Sequence, residues 1–359
     1  MAHGEAITTN NFNNANGMNP IIFSKKVALA YTKLSNKVKD NLTNNFWEGE
    51  IKTQGDRVRI VVPNPDAINI NAGDACPLPQ GVAPEALDLV INKVRTFALA
   101  ITDKEKAQTQ FKNYIDAMAT AVAQKISKAR NVEIIKAAFD YTTANNDDVD
   151  ENVYNKANHP LAGDYTGEAA FKVTPATAYQ FLLQVKMDLL KSGAIADDGT
   201  YNLTPLAEEP KEERAVFICG PRFAAILLAA YQLTHATGNG DMVVKDGLVT
   251  RVAGMDIHID RTIETDVALG AGETYNVSAN GTKMPFLAGT KNAFTEASQI
   301  SEVENIRDPY CFQDNVRGME LYGFKLVHPE ALVRGVNDPA AEEFAPADGI
   351  AAVPVRNVQ

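Results

Sequence analysis

The chain reads as an α+β fold in which a few long elements carry most of the architecture. Two observations predict this. From Glu85 to His159 the sequence holds neither glycine nor proline, the residues that ordinarily punctuate turns. Within that stretch a strand-like run, Leu87–Ile101, passes through Thr102-Asp103-Lys104-Glu105 into a single helical pattern, Tyr114–Tyr141. One long strand feeding one long helix favours reach over compactness, and so favours assembly over a cleft for chemistry.

The elements follow in order. Residues 1–20 are crowded with asparagine (Asn10, Asn11, Asn13, Asn14, Asn16, Asn19) and have little to bury, which describes a loose arm. Ile21–Asn41 has helical spacing, with Val27, Tyr31, Leu34 and Val38 on one side. Phe46–Ile51 and Arg57–Val62 are short strands around a turn at Gln54-Gly55-Asp56. Seven prolines and glycines between Pro63 and Pro84 then forbid a continuous central strand. The chain returns along Leu87–Ile101, with Leu87, Leu89, Ile91, Phe97, Leu99 and Ile101 on one side and Lys93 and Arg95 in the middle of that side. Outgoing and returning strands predict a two-stranded finger over 57–101 whose charged middle stands clear of its own core. A lone hairpin is marginal in water, so the finger implies a partner surface, a neighbouring copy.

The helix Tyr114–Tyr141 carries a stripe at Met118, Val122, Ile126, Ala129, Val132, Ile135 and Phe139, with Asp116, Gln124, Lys128 and Lys136 opposite. That pattern predicts one-sided packing on a sheet over about 40 Å of length. Asn145–Asn158 is an acidic loop. A helix over Thr177–Lys191 follows Pro175 and stops at Ser192-Gly193. Ala215–Cys219 reads as a buried strand and Pro221–Tyr231 as a helix with proline near its first position. A loop at Thr237–Asp241 precedes strands at Leu248–Ala253 and Met255–Ile259. Ile263–Lys283 is a Gly-rich surface insertion, and Phe286–Ala288, Gln299–Glu304 and Gly318–Val327 are strands. From Gly335 onward Ala, Pro and acids predict a loosely held tail.

Composition excludes several classes. With a net charge of −11, the chain repels phosphate unless a local basic patch intervenes. The cluster Lys25, Lys26, Lys33, Lys37 and Lys39 is spaced like the wet side of a helix. Cys76, Cys219 and Cys311 form neither a CxxC pair nor an even set, and Cys219 reads as core packing. No secretory signal and no membrane-spanning run is visible. The motifs of serine hydrolases, zinc proteases, P-loops and dinucleotide folds are absent. The five histidines are scattered. A calcium-loop test starting at Asp148, with Asp150 and Asn152, fails at Val153 and His159. No metal, cofactor or catalytic residue is expected. A hydrolase using Asp256 and Asp260 stays open as an alternative, and it would need a deep pocket.

The order and phrasing of these elements resemble the major capsid proteins of tailed bacteriophages with the HK97-like fold. Phe46-Trp47-Glu48-Gly49-Glu50-Ile51 followed by Gly55-Asp56-Arg57-Val58-Arg59-Ile60 is similar to that family's entry into its extended loop. Thr96–Asp103 followed by Tyr114–Tyr141 is similar to the return strand and spine helix. Ala215–Pro221, Ala224–Leu228 and the phrase Gly247, Val249, Gly254, Ile257 resemble the axial domain. Asp314, Gly318, Tyr322-Gly323 and Val327-His328-Pro329-Glu330-Ala331-Leu332 resemble the closing peripheral strand.

The resemblance implies an N-terminal arm (1–45), a peripheral domain (46–56, 102–173 and 284–335) with its spine helix at 114–141, and an extended loop (57–101). It implies an axial domain (174–283) with the insertion 263–283, and a C-terminal tail (336–359). It further implies a non-enzymatic shell protein assembling with itself into pentamers and hexamers around double-stranded DNA, without sequence-specific binding and without a membrane. Its place would be the virion capsid, assembled in the host bacterial cytoplasm. Portal, scaffolding and cement proteins are expected partners, with any scaffolding function on a separate protein or a leader absent here. Arg57, Arg59, Lys93 and Arg95 are the candidate inter-subunit contacts. An encapsulin-type compartment, sharing the fold but holding a protein cargo, is the near alternative.

Overall fold

The computed structural model describes residues 36–46, 57–62, 85–103, 114–141, 160–166, 171–203, 211–230, 251–264, 267–270, 273–275 and 283–345. The Asn-rich arm, the first turns of the 21–41 helix, most of the 46–51 strand, the excursion after Val62, the acidic loop and the 237–241 loop lie outside them. In chain order the first elements are α1 (Lys37–Leu42), β1 (Thr43–Asn44), β2 (Arg57–Val62), β3 (Glu85–Val90), β4 (Lys93–Thr102), α2 (Tyr114–Asp140), β5 (Gly163–Tyr165), α3 (Ala178–Lys191), β6 (Thr200–Leu203) and β7 (Lys211–Arg214). Then come β8 (Val216–Cys219), α4 (Pro221–Ala229), β9 (Arg251–Val252), β10 (Met255–Ile259), β11 (Val267–Gly270), β12 (Glu273–Tyr275), β13 (Met284–Gly289), β14 (Phe294–Arg307), β15 (Gln313–Leu326) and β16 (Leu332–Asn337).

Two sheets organise the chain. A six-stranded sheet runs β5-β16-β13-β8-β10-β9, and a four-stranded sheet runs β1-β14-β15-β4. The six-stranded sheet is covered on both faces, which is why β8 is apolar at every position instead of alternating. Phe217, Cys219, Phe286 and Ala288 point to one side, into a core with Phe181, Leu182, Val185 and Leu189 of α3 and Phe223 of α4. Val216, Ile218, Leu287 and Leu332 point to the other, against Ile134, Ile135 and Ala138 of α2 and Val38 and Leu42 of α1. Gly335 lets β16 pass close by the Phe286 ring, where a Cβ would sit 2.3 Å from a ring carbon.

α3 begins where Thr177 accepts a hydrogen bond from the Thr174 amide. It ends on Gly193 at φ +76°, with the Ala194 amide returning to Leu189 O, the usual glycine termination. α4 starts with Pro221 in its first turn, where the missing N–H costs nothing. Both helices lie close to the bounds expected from sequence.

Four expectations need correction. The strand expected as Leu87–Ile101 is two strands, broken at Ile91-Asn92: β3 pairs with β2, whereas β4 pairs with β15 from Lys93–Tyr322 to Thr102–Gln313. The finger therefore ends at Val90, and residues 93–101 belong to the four-stranded sheet. Its root does not stand clear either, because Ile60, Leu87, Leu89 and Ile91 are buried with Ala297 and Val327. Second, the helix is not one-sided throughout: Arg130 to Ile135 are all buried, because the polar members find charged or amide partners. Third, the tail is not loose up to residue 345. Asn337 is fully buried, Phe344 packs 5.0 Å from the Phe171 ring, and the backbone of Lys172 pairs in a parallel β-bridge with Glu343. Fourth, the boundary placed at 284 runs through one sheet, since β13 from the following segment pairs with β8 from the preceding one, and β16 pairs with β13 on its far edge. Within 263–283, β11 and β12 form a small hairpin, and β11 lies alongside α2.

Phe181 is fully buried, with ring centroids of Phe171, Phe286 and Phe344 at 5.0, 5.1 and 5.6 Å. Phe181→Ala is expected to cost about 3–5 kcal/mol in chemical denaturation of the unassembled chain. A loss below about 1 kcal/mol would contradict this core assignment.

Candidate assembly surface

The exposed surfaces of the chain depend on how the elements behind them are held in place. The middle of α2 does that holding. Asn131 and Glu133 are two residues apart, so they leave the helix on nearly opposite sides. Asn131 donates to Asp260 Oδ2 at 3.0 Å and to Thr262 Oγ1 at 2.6 Å, and accepts from the Lys39 amide at 2.8 Å. Asp260, fully buried just after β10, also accepts from the Lys37 amide at 2.9 Å and from the Thr262 amide and hydroxyl at 2.8 and 2.6 Å. One carboxylate thus caps α1, closes the 3₁₀ turn Arg261–Ile263 and grips α2.

Glu133 faces the four-stranded sheet. It accepts from Lys93 Nζ at 3.0 Å, from Tyr322 Oη at 2.9 Å and from Arg95. Burial works to raise its pKa, but the hydrogen bonds from Arg95 and Lys93 outweigh it and hold the carboxyl below its ordinary value. Tyr322 is pushed up to about 12, chiefly by burial. One turn back, Arg130 lies 4.7 Å over the Tyr322 ring and donates to Glu320 at 3.0 Å.

Two features of this frame carry exposed side chains. The first is the β2–β3 ribbon, where Asp88 pairs with Arg59 at 3.0 Å and Arg57 at 3.4 Å. The hydrogen bond from Arg59 lowers the Asp88 pKa most. Both arginine side chains stay more than half exposed, at 61% and 58%. The second is the end of the β14–β15 hairpin. There Asp308 accepts from the amides of Tyr310 and Cys311 and from Gln313 and Asn315, at 2.8 to 3.1 Å. The Tyr310 amide and those two side chains pull its pKa down to about 2. Arg307 braces the hairpin against Asp103 and Asp314. On this stiffened turn Tyr310 is 95% exposed and Phe312 84% exposed.

The four candidate contact residues therefore fall into two pairs. Arg57 and Arg59 sit exposed on the β2–β3 ribbon. Lys93 and Arg95 sit on the four-stranded sheet, oriented by Glu133 of the same chain. Sequence reasoning passed over Glu133, Asn131, Tyr310 and Phe312. A signal existed for each: a carboxylate and an amide among Val132, Ile134 and Ile135, and two aromatics in a turn that opens on Asp308-Pro309.

The alternative hydrolase pair does not converge. Asp256 pairs with Arg251 at 2.7 Å on the surface, and the Asp260 oxygens are taken up by the structural bonds above. Among the described residues no group of three His, Cys, Asp or Glu is placed to hold a metal. The acidic run 147–151 lies outside them. No described helix is long and apolar enough to cross a membrane. Cys219 is buried in the aromatic core, and burial pushes its thiol pKa up.

No protein-family model and no curated protein matches the chain. Solved structures share its fold. A chain from Mycobacterium phage Che8, 18% identical, aligns with a TM-score of 0.61 over 89% of this chain and 97% of its own. A chain of the cyanophage P-SCSP1u capsid, 12% identical, gives 0.60 over 87% and 90%. One from the mature capsid of bacteriophage PhiM1, 14% identical, gives 0.56 over 88% and 90%. The chain has the mixed α+β fold of these phage capsid structures.

Because the folded-state pKa of Glu133 is depressed, its contribution is present above the unfolded value of about 4.3 and is lost as pH falls through the folded value. Glu133→Gln is expected to be less stable at pH 7 and to lose less on acidification below about pH 4. Denaturation midpoints measured across that range check this, and parallel acid limbs for the two proteins would contradict it.

Proposed function

We propose that this chain is the major capsid protein of a tailed bacteriophage, built on the HK97-like plan, and that copies of it close into the icosahedral head around double-stranded DNA. The observation that carries the reading is a fold shared with phage capsid chains over most of both lengths. In this reading α2 is the spine, the β2–β3 ribbon is the root of the extended loop, and the four-stranded sheet with its long hairpin is the peripheral domain. The region around α3, α4 and β8–β10 is the axial domain, around which pentamers and hexamers form. The chain's role is structural, not enzymatic. It acts in the virion after assembly in the host bacterial cytoplasm, with portal, scaffolding and cement functions on other chains.

The physics supports a shell. Identical chains joined by heterologous contacts form rings whenever the rotation closes. Many weak contacts made together hold through effective concentration. Arg57 and Arg59 are exposed on the β2–β3 ribbon, with Asp88 fixing their direction, and so suit an acidic patch on a neighbour. Lys93 and Arg95 touch a neighbour only through what Glu133 leaves open. An acidic chain also packs condensed DNA without adhering to it.

Sedimentation and negative-stain microscopy of the purified chain test the proposal. Hollow shells, or rings of five and six, are expected, and particles from producing cells should hold double-stranded DNA. A small oligomer at all concentrations would overturn it, and shells loaded with a protein cargo would assign the chain to a storage compartment.

A further inference from the structure

The hairpin carries both a knob and a matching hollow. The knob is the 308–312 turn with Tyr310 and Phe312. The hollow is a shallow groove of about 480 Å³ on the same hairpin and the neighbouring β4, lined by Thr96, Ala98, Glu304, Arg317, Gly318 and Met319. Its rim is open: Arg317 is 61% exposed, Met319 37% and nearby Val94 52%. Gly318 keeps the floor low, since a Cβ there would stand 2.3 Å from the Phe97 ring.

The chemistry of the two parts is complementary. A methionine thioether and an arginine guanidinium are favoured neighbours of aromatic rings, and aromatic, Met and Arg side chains are enriched at protein interfaces. Charge differs between the two parts: the groove pair of Arg317 and Glu304, at 2.8 Å, is balanced, whereas at the tip Arg307 faces Asp103 and Asp314 and Asp308 accepts only from neutral amides, which leaves the tip net negative. The tip cannot reach its own groove, because Gln313 and Gly318 are separated by about 17 Å of strand and the Asp308 bonds stiffen the turn.

We infer that copies of this chain dock head to tail along the hairpin, the Tyr310–Phe312 tip of one copy seating in the Arg317–Met319 groove of the next. The inference rests on the shell-forming role and gives it a specific contact. A tip already braced by Asp308 and Arg307 loses little freedom on docking, so its two rings act as anchors.

The test uses the full chain in three forms. Y310S/F312S alters only side chains that are exposed, so its thermal midpoint should stay that of wild type, while the yield of sedimenting shells should fall at least about tenfold. M319C is assembled with the native Cys311 and oxidised with copper phenanthroline. It should give a reducible ladder of linked copies, and C311S/M319C should give none. Wild-type shells with an undiminished yield from Y310S/F312S, or M319C shells without a ladder, would overturn the docking while leaving shell formation standing. A wild-type chain that forms no particles would overturn both.

Discussion

The structure depends on a buried polar turn in the middle of α2, the longest of the described helices. Asn131 and Glu133 point away from each other, and each is bonded to a different sheet: Asn131 through Asp260 at the end of β10, Glu133 through Lys93, Arg95 and Tyr322 of β4 and β15. Apolar packing alone leaves a helix free to slide or roll by small amounts, since greasy surfaces tolerate several registers. Buried charges do not, because a partner lost in a dry interior strands its mate. Removing one side of a fully buried pair costs about 3–5 kcal/mol; with Lys93 and Arg95 partly exposed the loss at Glu133 is smaller, against the roughly 5–15 kcal/mol that holds a typical domain together. The two sheets are thereby locked to one helix at a defined angle.

In the shell-forming role proposed for this chain, that lock has a direct use. Contacts between copies are individually weak, and they add up only if every copy presents them in the same geometry. The ribbon root is anchored at Ile60, Leu87 and Leu89 under the four-stranded sheet, and β3 comes so close that Gly323 of β15 has no room for a side chain: a Cβ would lie 2.2 Å from Val90 O. The hairpin end is braced by Asp308 and Arg307. Both features are stiff where they join the body, so little ordering entropy is left to be lost when they meet a partner.

Much of this was legible in the sequence, for a local reason. α2, α3 and α4 are set by spacing, by Pro175 and Pro221, and by Ser192-Gly193, all features within a few residues of the element they bound. The α+β class rests on these together with the strand runs between them, and the capsid resemblance on the order and phrasing of the whole series. What escaped depends on partners far along the chain. The break at Asn92 carries neither glycine nor proline, and β4 turns away from β3 because its partner, β15, lies more than two hundred residues later. β14 and β15 were seen only in pieces, since Glu296, Glu304, Arg317 and Glu320 lower strand propensity and are tolerated because they pair with opposite charges. Phe344 looked like part of a loose tail because its partners, Phe171 and Phe181, lie more than 160 residues earlier in the chain. The Arg57 and Arg59 ribbon was legible, while the internal bonding of Lys93 and Arg95 was hidden behind Glu133.

The central claim is that one rigid body, clamped at residues 130–135, presents a ribbon and a hairpin end that are completed by other copies. Hydrogen exchange compared between the unassembled chain and its assembled particles addresses it most directly. The account predicts strong protection of 130–135 in both states, and protection of 57–62, 85–90 and 308–312 that rises sharply only on assembly. Identical exchange of those three segments in the two states, or a helix centre that exchanges freely in the unassembled chain, would contradict it.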